Sequence, residues 1–110
     1  MNLPNHTTLI GSLLQDPELY EAPGAPPRVK FTLLQRPRLA EPGQPRDPQD
    51  RQLTVRCVAL RDLAHRIAET LRANDRVIVI GRLTQRVHQP PGESPRLLVE
   101  VTVEAIGTLL

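Results

Sequence analysis

Residues 75–88, DRVIVIGRLTQRVH, decide how this chain folds. Val77, Ile78, Val79 and Ile80 are consecutive β-branched residues, the composition of a strand buried on both faces. Beyond Gly81 strict alternation takes over: Leu83 and Val87 fall on one side, and Arg82, Thr84, Arg86 and His88 on the other. The first half is therefore expected in the core and the second half exposed on one side. A strand well above the usual length of about five or six residues must bend, and Gly81 is where a bulge costs least. Long bent strands of this kind build small closed barrels.

Working outward from that strand, the pattern predicts one domain over residues 1–110 with four more strands and one helix. Thr7–Leu14 reads as the first strand, with Gly11 marking a bulge or a close backbone approach, and Asp16-Pro17 as the turn that closes it. Glu18–Pro27 is acidic and then proline-rich and reads as a loop. Arg28–Leu34 alternates, with Val29, Phe31 and Leu33 inward and Arg28, Lys30 and Thr32 outward. Gln35–Arg51 carries four prolines and reads as a long flexible loop. Gln52–Leu60 is the third strand, setting Leu53, Val55, Cys57 and Ala59 against Thr54, Arg56, Val58 and Leu60. Arg61–Ala73 then shifts to helical period, with Leu63, Ala64, Ile67, Ala68 and Leu71 as its apolar stripe, Asp62 as N-cap and Asn74 as a left-handed stop. The last strand, Arg96–Ile106, places Leu97, Val99, Val101, Val103 and Ala105 inward. Three strands, a short helix and two more strands is the element order of an all-β, five-stranded Greek-key barrel of the oligonucleotide-binding (OB) fold, with its helix between strands three and four.

Composition narrows the functional classes. Phe31 and Tyr20 are the only aromatics, so the core must be aliphatic. Cys57 stands alone, which excludes an internal disulfide and a cysteine-based zinc site, and it reads as a small structural residue. No run of eighteen apolar residues and no secretory leader pattern is present, so a cytoplasmic protein with no membrane partner is expected. His6, His65 and His88 have no metal-ligand spacing, and nothing resembles a nucleophile elbow or a phosphate-binding glycine loop. Neither catalysis nor a cofactor is expected.

The net charge of +2 hides an uneven distribution. Residues 1–27 carry −3, 28–56 carry +4, 57–75 are neutral, 76–96 carry +3 and 97–110 carry −2. Thirteen of the fourteen cationic residues are Arg, which forks onto phosphates and stacks on flat rings better than Lys. Strand alternation puts Lys30, Thr32, Thr54, Arg56, Arg82, Arg86 and His88 on one face of the sheet, flanked by Arg36 and Arg38 from the loop. A one-sided cationic groove of this kind is the electrostatic footprint of nucleic-acid binding.

Four pieces, LIGSLLQDPEL at 9–19, VKFTLL at 29–34, VALRDLAHRIAETLRANDRVIVIGRLTQR at 58–86 and GESPRLLVEVTVEAIGTL at 92–109, resemble in order and spacing the DNA-binding domain of bacterial single-stranded-DNA-binding proteins. The resemblance implies an OB barrel that assembles as a homodimer or homotetramer through its first strand and wraps single-stranded DNA without sequence preference. It also implies aromatic stacking platforms, and here those positions hold Leu39, Thr54, Leu60 and His88, of which only His88 keeps a flat π face. Stacking contributes about 1–3 kcal/mol per base, so four lost platforms would remove roughly 4–12 kcal/mol per subunit before compensation. Replicative relatives carry a flexible tail with an acidic tip, whereas this chain ends directly after its last strand and is not expected to recruit partners that way. The residues thus predict an accessory, charge-led single-strand binder in replication, recombination or repair, with Leu60 kept among its contact residues. RNA is an alternative ligand, because such a groove reads the sugar poorly. The competing reading is a primosome-like or paralogue-assembling protein-interaction subunit with little nucleic-acid binding.

Overall fold

The computed structural model describes residues 5–36 and 52–110. Six strands and one helix follow one another: β1 (His6–Leu13), β2 (Glu18–Tyr20), β3 (Arg28–Gln35), β4 (Leu53–Leu60), α1 (Asp62–Thr70), β5 (Arg76–His88) and β6 (Arg96–Thr108). The sheet runs β1-β5-β6-β4-β3-β2, and it closes into a barrel where Ser12 and Leu13 of β1 pair with Leu34 and Leu33 of β3. The five-strand barrel is therefore as expected, with one added element. Glu18–Tyr20, expected as loop, forms a short edge strand on β3. Positive φ at Gly24 (78°) completes the reversal between them.

The core is aliphatic, as the composition requires: Leu13, Val29, Leu33, Cys57, Ala59, Val77, Val79 and Val101 are fully enclosed. α1 plugs one end of the barrel with Ala64 and Ile67, which its 3.6-residue period puts on one side, and the C-cap residue Leu71 adds to the same buried cluster. It is shorter than the stretch 61–73, and Asp62 is its first helical residue rather than its cap. The cap position belongs to Arg61, whose N–H donates to the Pro27 carbonyl (2.8 Å) with φ at 62° and no side-chain cap. Asn74 does adopt the left-handed conformation (φ 72°), but past the helix end, where its N–H donates to the Leu13 carbonyl (2.8 Å). Asp16 accepts from the Ala73 N–H (2.8 Å), stitching the turn after β1 to the same corner.

The organising strand behaves differently from its expectation in its first half. Val77 and Val79 are buried, but Ile80 is 40% exposed and Ile78 half-buried, because the barrel covers β5 on one side only. The bend is where Gly81 marks it, yet the extra residue is on the facing strand: Ile80 pairs with Ala105 and Gly81 with Val103, leaving Glu104 of β6 unmatched. Gly81 is required there, since a Cβ would lie 2.3 Å from the Thr102 carbonyl oxygen. Gly11 likewise allows a close approach, its Cβ position being 2.5 Å from the Leu34 oxygen as β1 crosses to β3.

This bulge also corrects the inward set of β6. Val101 and Val103 are buried as expected, but the extra residue flips the phase, so Ala105 turns outward and Ile106 packs against the core. Leu97 and Val99 are 66% and 58% exposed for a second reason. There the β5–β6 pair extends past the barrel as a two-stranded ribbon, with no other described strand over its apolar face of Leu83, Val87, Leu97 and Val99. Among the described residues no helix is long and apolar enough to cross a membrane.

Candidate nucleic-acid interface

Registered pairs lie on the same side of a sheet, so the ladder fixes which residues share the outer face. Tyr20, Arg28 and Leu60 form one row across β2, β3 and β4, because Tyr20 pairs with Arg28 and Arg28 with Leu60. The next row holds Glu18, Lys30, Val58 and Thr102, and the one after it Thr32 and Arg56. Thr54 follows opposite Leu34, exposed on the same face. Their inward neighbours Val29, Phe31, Cys57 and Ala59 are core, which is what turns these rows outward.

Four of the expected contact residues meet around one open groove of about 270 Å³: Lys30, Thr32, Arg56 and Arg86 line it, together with Asp16, Glu18 and Glu100. Glu100 is the floor. It is buried beneath the groove's polar and charged lining, and its carboxylate accepts a hydrogen bond from Arg86 Nε in a close ion pair. A buried carboxylate needs such a partner, so Arg86 is held down by the protein itself. Arg82 is similarly engaged: its Nε sits 2.6 Å from Glu104, the bulged residue, whose other oxygen is 3.6 Å from His6 Nδ1. Between the two pairs, Thr84 Oγ1 donates to the Glu100 carbonyl (3.3 Å) and lies 3.1 Å from Thr102 Oγ1. Expected as open cations, Arg82 and Arg86 are thus internally neutralised.

Arg28, Lys30 and Arg56 make no ion pair among the described residues. Partial burial, then the positive charges of Arg28 and Arg86, push the Lys30 ammonium below the ordinary lysine value, with Glu100 opposing. The Cys57 thiol behind the groove is pushed up to about 12 by burial, so it is a packing residue and no nucleophile at neutral pH. His88 is exposed at the end of β5, opposite Arg96, and Arg36 is exposed just past β3. Leu60 is exposed at the opposite end of the face from His88. Arg38 and Leu39 lie outside the described residues, as does most of the stretch 35–51.

Sequence reasoning missed Tyr20. Its ring is 42% exposed, with Arg28 Cζ 5.4 Å and Lys30 Nζ 5.7 Å from the ring centroid. The hydroxyl donates to Glu18 Oε2 (2.5 Å), and this bond raises the phenol's pKa, keeping it neutral at physiological pH. The signal was the alternation of Glu18 and Tyr20 opposite Lys30 and Arg28. It is visible only once the two segments are known to pair.

Comparison with known proteins agrees with this architecture. The model of the single-strand binding protein family matches residues 4–109. The single-stranded DNA-binding protein of Mycolicibacterium smegmatis is 36% identical over 103 residues, covering 94% of this chain and 62% of the relative. That of Mycobacterium tuberculosis H37Rv is 36% identical over 105 residues, covering 94% and 63%. That of Bifidobacterium longum is 36% identical over 103 residues, covering 94% and 47%. The chain thus spans about half to two thirds of the length of these relatives.

Proposed function

Because the chain belongs to the single-strand binding protein family, we propose that it binds single-stranded DNA, without sequence preference, along the outer face of β3 and β4. The observation that carries this reading is the cluster of three cations with no ion pair among the described residues, Arg28, Lys30 and Arg56, on adjacent rows of one face. Phosphates would be neutralised there at little competing cost, since no carboxylate must first be displaced. Thr32 and Thr54 supply hydroxyl donors beside them, and Arg36 extends the path just past β3, while Arg38 belongs to the set by its sequence alone. Arg86 contributes only by sharing itself between phosphate and Glu100, and His88 only to a strand long enough to reach the ribbon. The biological role this supports is an accessory one in DNA replication, recombination or repair, in the cytoplasm.

Assembly as a homo-oligomer through β1 belongs to the same reading. His6–Gly11 pair with β5 on one side, and the other edge of these residues meets no described strand. Ile10 and Leu14 are exposed on or just past β1, with Ile80 of the paired strand β5 exposed nearby, and an apolar strand edge invites a second copy. Sedimentation that gives only monomer at micromolar concentration would contradict it.

The decisive experiment is a titration of labelled oligo-dT followed by anisotropy at several salt concentrations. Three phosphate-neutralising cations predict a slope of log affinity against log salt of roughly −2 per subunit. No binding at low salt sinks the proposal and leaves the protein-interaction reading. Parallel titration with oligo-rU tells DNA from RNA preference.

A further inference from the structure

The outer face carries one feature that charge does not explain. Tyr20 is the single tyrosine, there is no tryptophan, and the one phenylalanine, Phe31, is buried in the core. The one phenyl-type ring available to a ligand is therefore on β2, in the same row as Arg28 and Leu60 and far from the exposed imidazole of His88 at the end of β5. Around it is a shallow cavity of about 650 Å³, lined by Tyr20, Arg28, Leu60, Ala25 and Pro26 among others, a size typical of small-molecule sites. Leu60 is 43% exposed there and forms an apolar wall.

The ring is also held in place. Its hydroxyl is tied to Glu18 on the same strand, and its neighbours Arg28 and Lys30 come from the paired strand. A fixed aromatic surface loses little side-chain entropy when a flat ligand stacks on it. Two cations within 5.4 and 5.7 Å of the centroid stand ready for the phosphates that accompany such a ligand. A packing role alone leaves this combination unexplained: a ring meant only to cover the edge strand gains nothing from an open cavity beside it.

We propose that Tyr20 is a base-stacking platform, with Leu60 as its apolar wall and Arg28 and Lys30 as the adjoining phosphate anchors. This deepens the single-strand reading and rests on it. The four stacking positions implied by resemblance hold no aromatic benzene or indole ring, and the platform has instead been re-sited to β2, two strands over from Leu60 and on the same row, with Arg28 of β3 between them. The ligand class is a nucleobase of a single strand, read by its π face and thus without sequence preference. The strand's path then runs across the sheet from the groove at Arg56 and Lys30 to the outer edge at β2.

Because Tyr20 is the only tyrosine in a chain without tryptophan, its emission reports this site alone. Oligo-dT titration followed simultaneously by anisotropy of a labelled strand and by tyrosine emission should give two curves with the same midpoint, the emission falling as bases stack. Tyr20→Ala and Tyr20→Leu should each weaken binding about 5- to 150-fold, the equivalent of losing one stacked base, while Tyr20→Phe stays within a few-fold of the native chain. The salt slope should be unchanged by all three, since no charge is lost, whereas Arg28→Ala should reduce its magnitude by about 0.7. Tyr20 is on an edge strand and partly exposed, so thermal melting will establish that the variants fold; the emission measurement needs no variant. Binding by anisotropy with native affinity in both Tyr20→Ala and Tyr20→Leu overturns the platform and leaves the single-strand function standing. Absence of any anisotropy change at low salt overturns that function, and the platform with it.

Discussion

The two ends of the outer face use the same residue type to opposite effect. At the Arg86 end, each arginine of β5 that faces outward within the ribbon is matched to a glutamate of β6: Arg86 to the buried Glu100, Arg82 to the bulged Glu104. At the Tyr20 end, Arg28 and Lys30 face an aromatic ring and make no ion pair among the described residues. The first arrangement spends its charge on holding two strands together. The second leaves charge for a ligand. Counting cations along the chain makes the two ends equivalent, since residues 28–56 carry +4 and 76–96 carry +3. The difference is made by residues 97–110, whose −2 is delivered onto the second positive segment when β6 pairs with β5.

That contrast is exposed to direct tests. The largest effect is expected from Arg86→Ala, which leaves Glu100 buried without its cation. Allowing for solvent at the half-exposed Arg86 side, the stability loss should be about 1–3 kcal/mol by urea denaturation, against less than about 0.5 kcal/mol for Arg28→Ala. Equal losses would erase the distinction between a structural and a functional end. Next, Glu100→Gln should release Arg86 to the ligand, tightening oligo-dT binding several-fold and steepening the salt slope by about 0.7. A slope that does not move would mean Arg86 is out of the strand's reach even when freed. Arg82→Ala, whose pair with Glu104 is largely solvated, should cost under about 1 kcal/mol and leave DNA affinity within twofold.

The smallest expected effect is a pH dependence carried by Lys30. Its native value is depressed by burial and by Arg28 and Arg86, so the charged form is disfavoured in the fold. Below the native value Lys30 therefore subtracts from stability, and that cost fades as pH rises from there toward the ordinary 10.5. Lys30→Met should abolish this small alkaline gain in thermal stability while lowering DNA affinity. An unchanged pH profile in the variant would assign the gain to another group.

Much of the barrel was legible because strand periodicity reports burial one face at a time. Val29, Phe31 and Leu33 were expected inward and are buried, and on β4 the alternation correctly put Cys57 and Ala59 on one face, which is the buried one. Gly81 could be identified as the bend, since only a residue without a Cβ fits beside the Thr102 carbonyl. The errors arose where one strand depends on another. The insertion of Glu104 on β6 changes the phase of Ala105 and Ile106, and a pattern read along β6 alone contains no sign of it. The exposure of Leu97 and Val99 follows from β5 and β6 outrunning the barrel, which is a relation between strand lengths and not a property of either strand.

For the site the division is sharper. The sequence by itself determined the local quantities: which residues alternate outward, how many cations they include, and how few aromatic rings the chain holds. Those follow from the two-residue period of a strand and from composition, both of which are local. Only the tertiary structure decided which cations remain open, because Glu100 reaches Arg86 and Glu104 reaches Arg82 across the β5–β6 ladder. It alone also put Tyr20 in a row with Arg28 and Leu60, turning an apparent loop residue into an exposed phenol ring of the face. Charge neutralisation and ring placement act through space over a few ångströms, and the partners that supply them are distant in the chain.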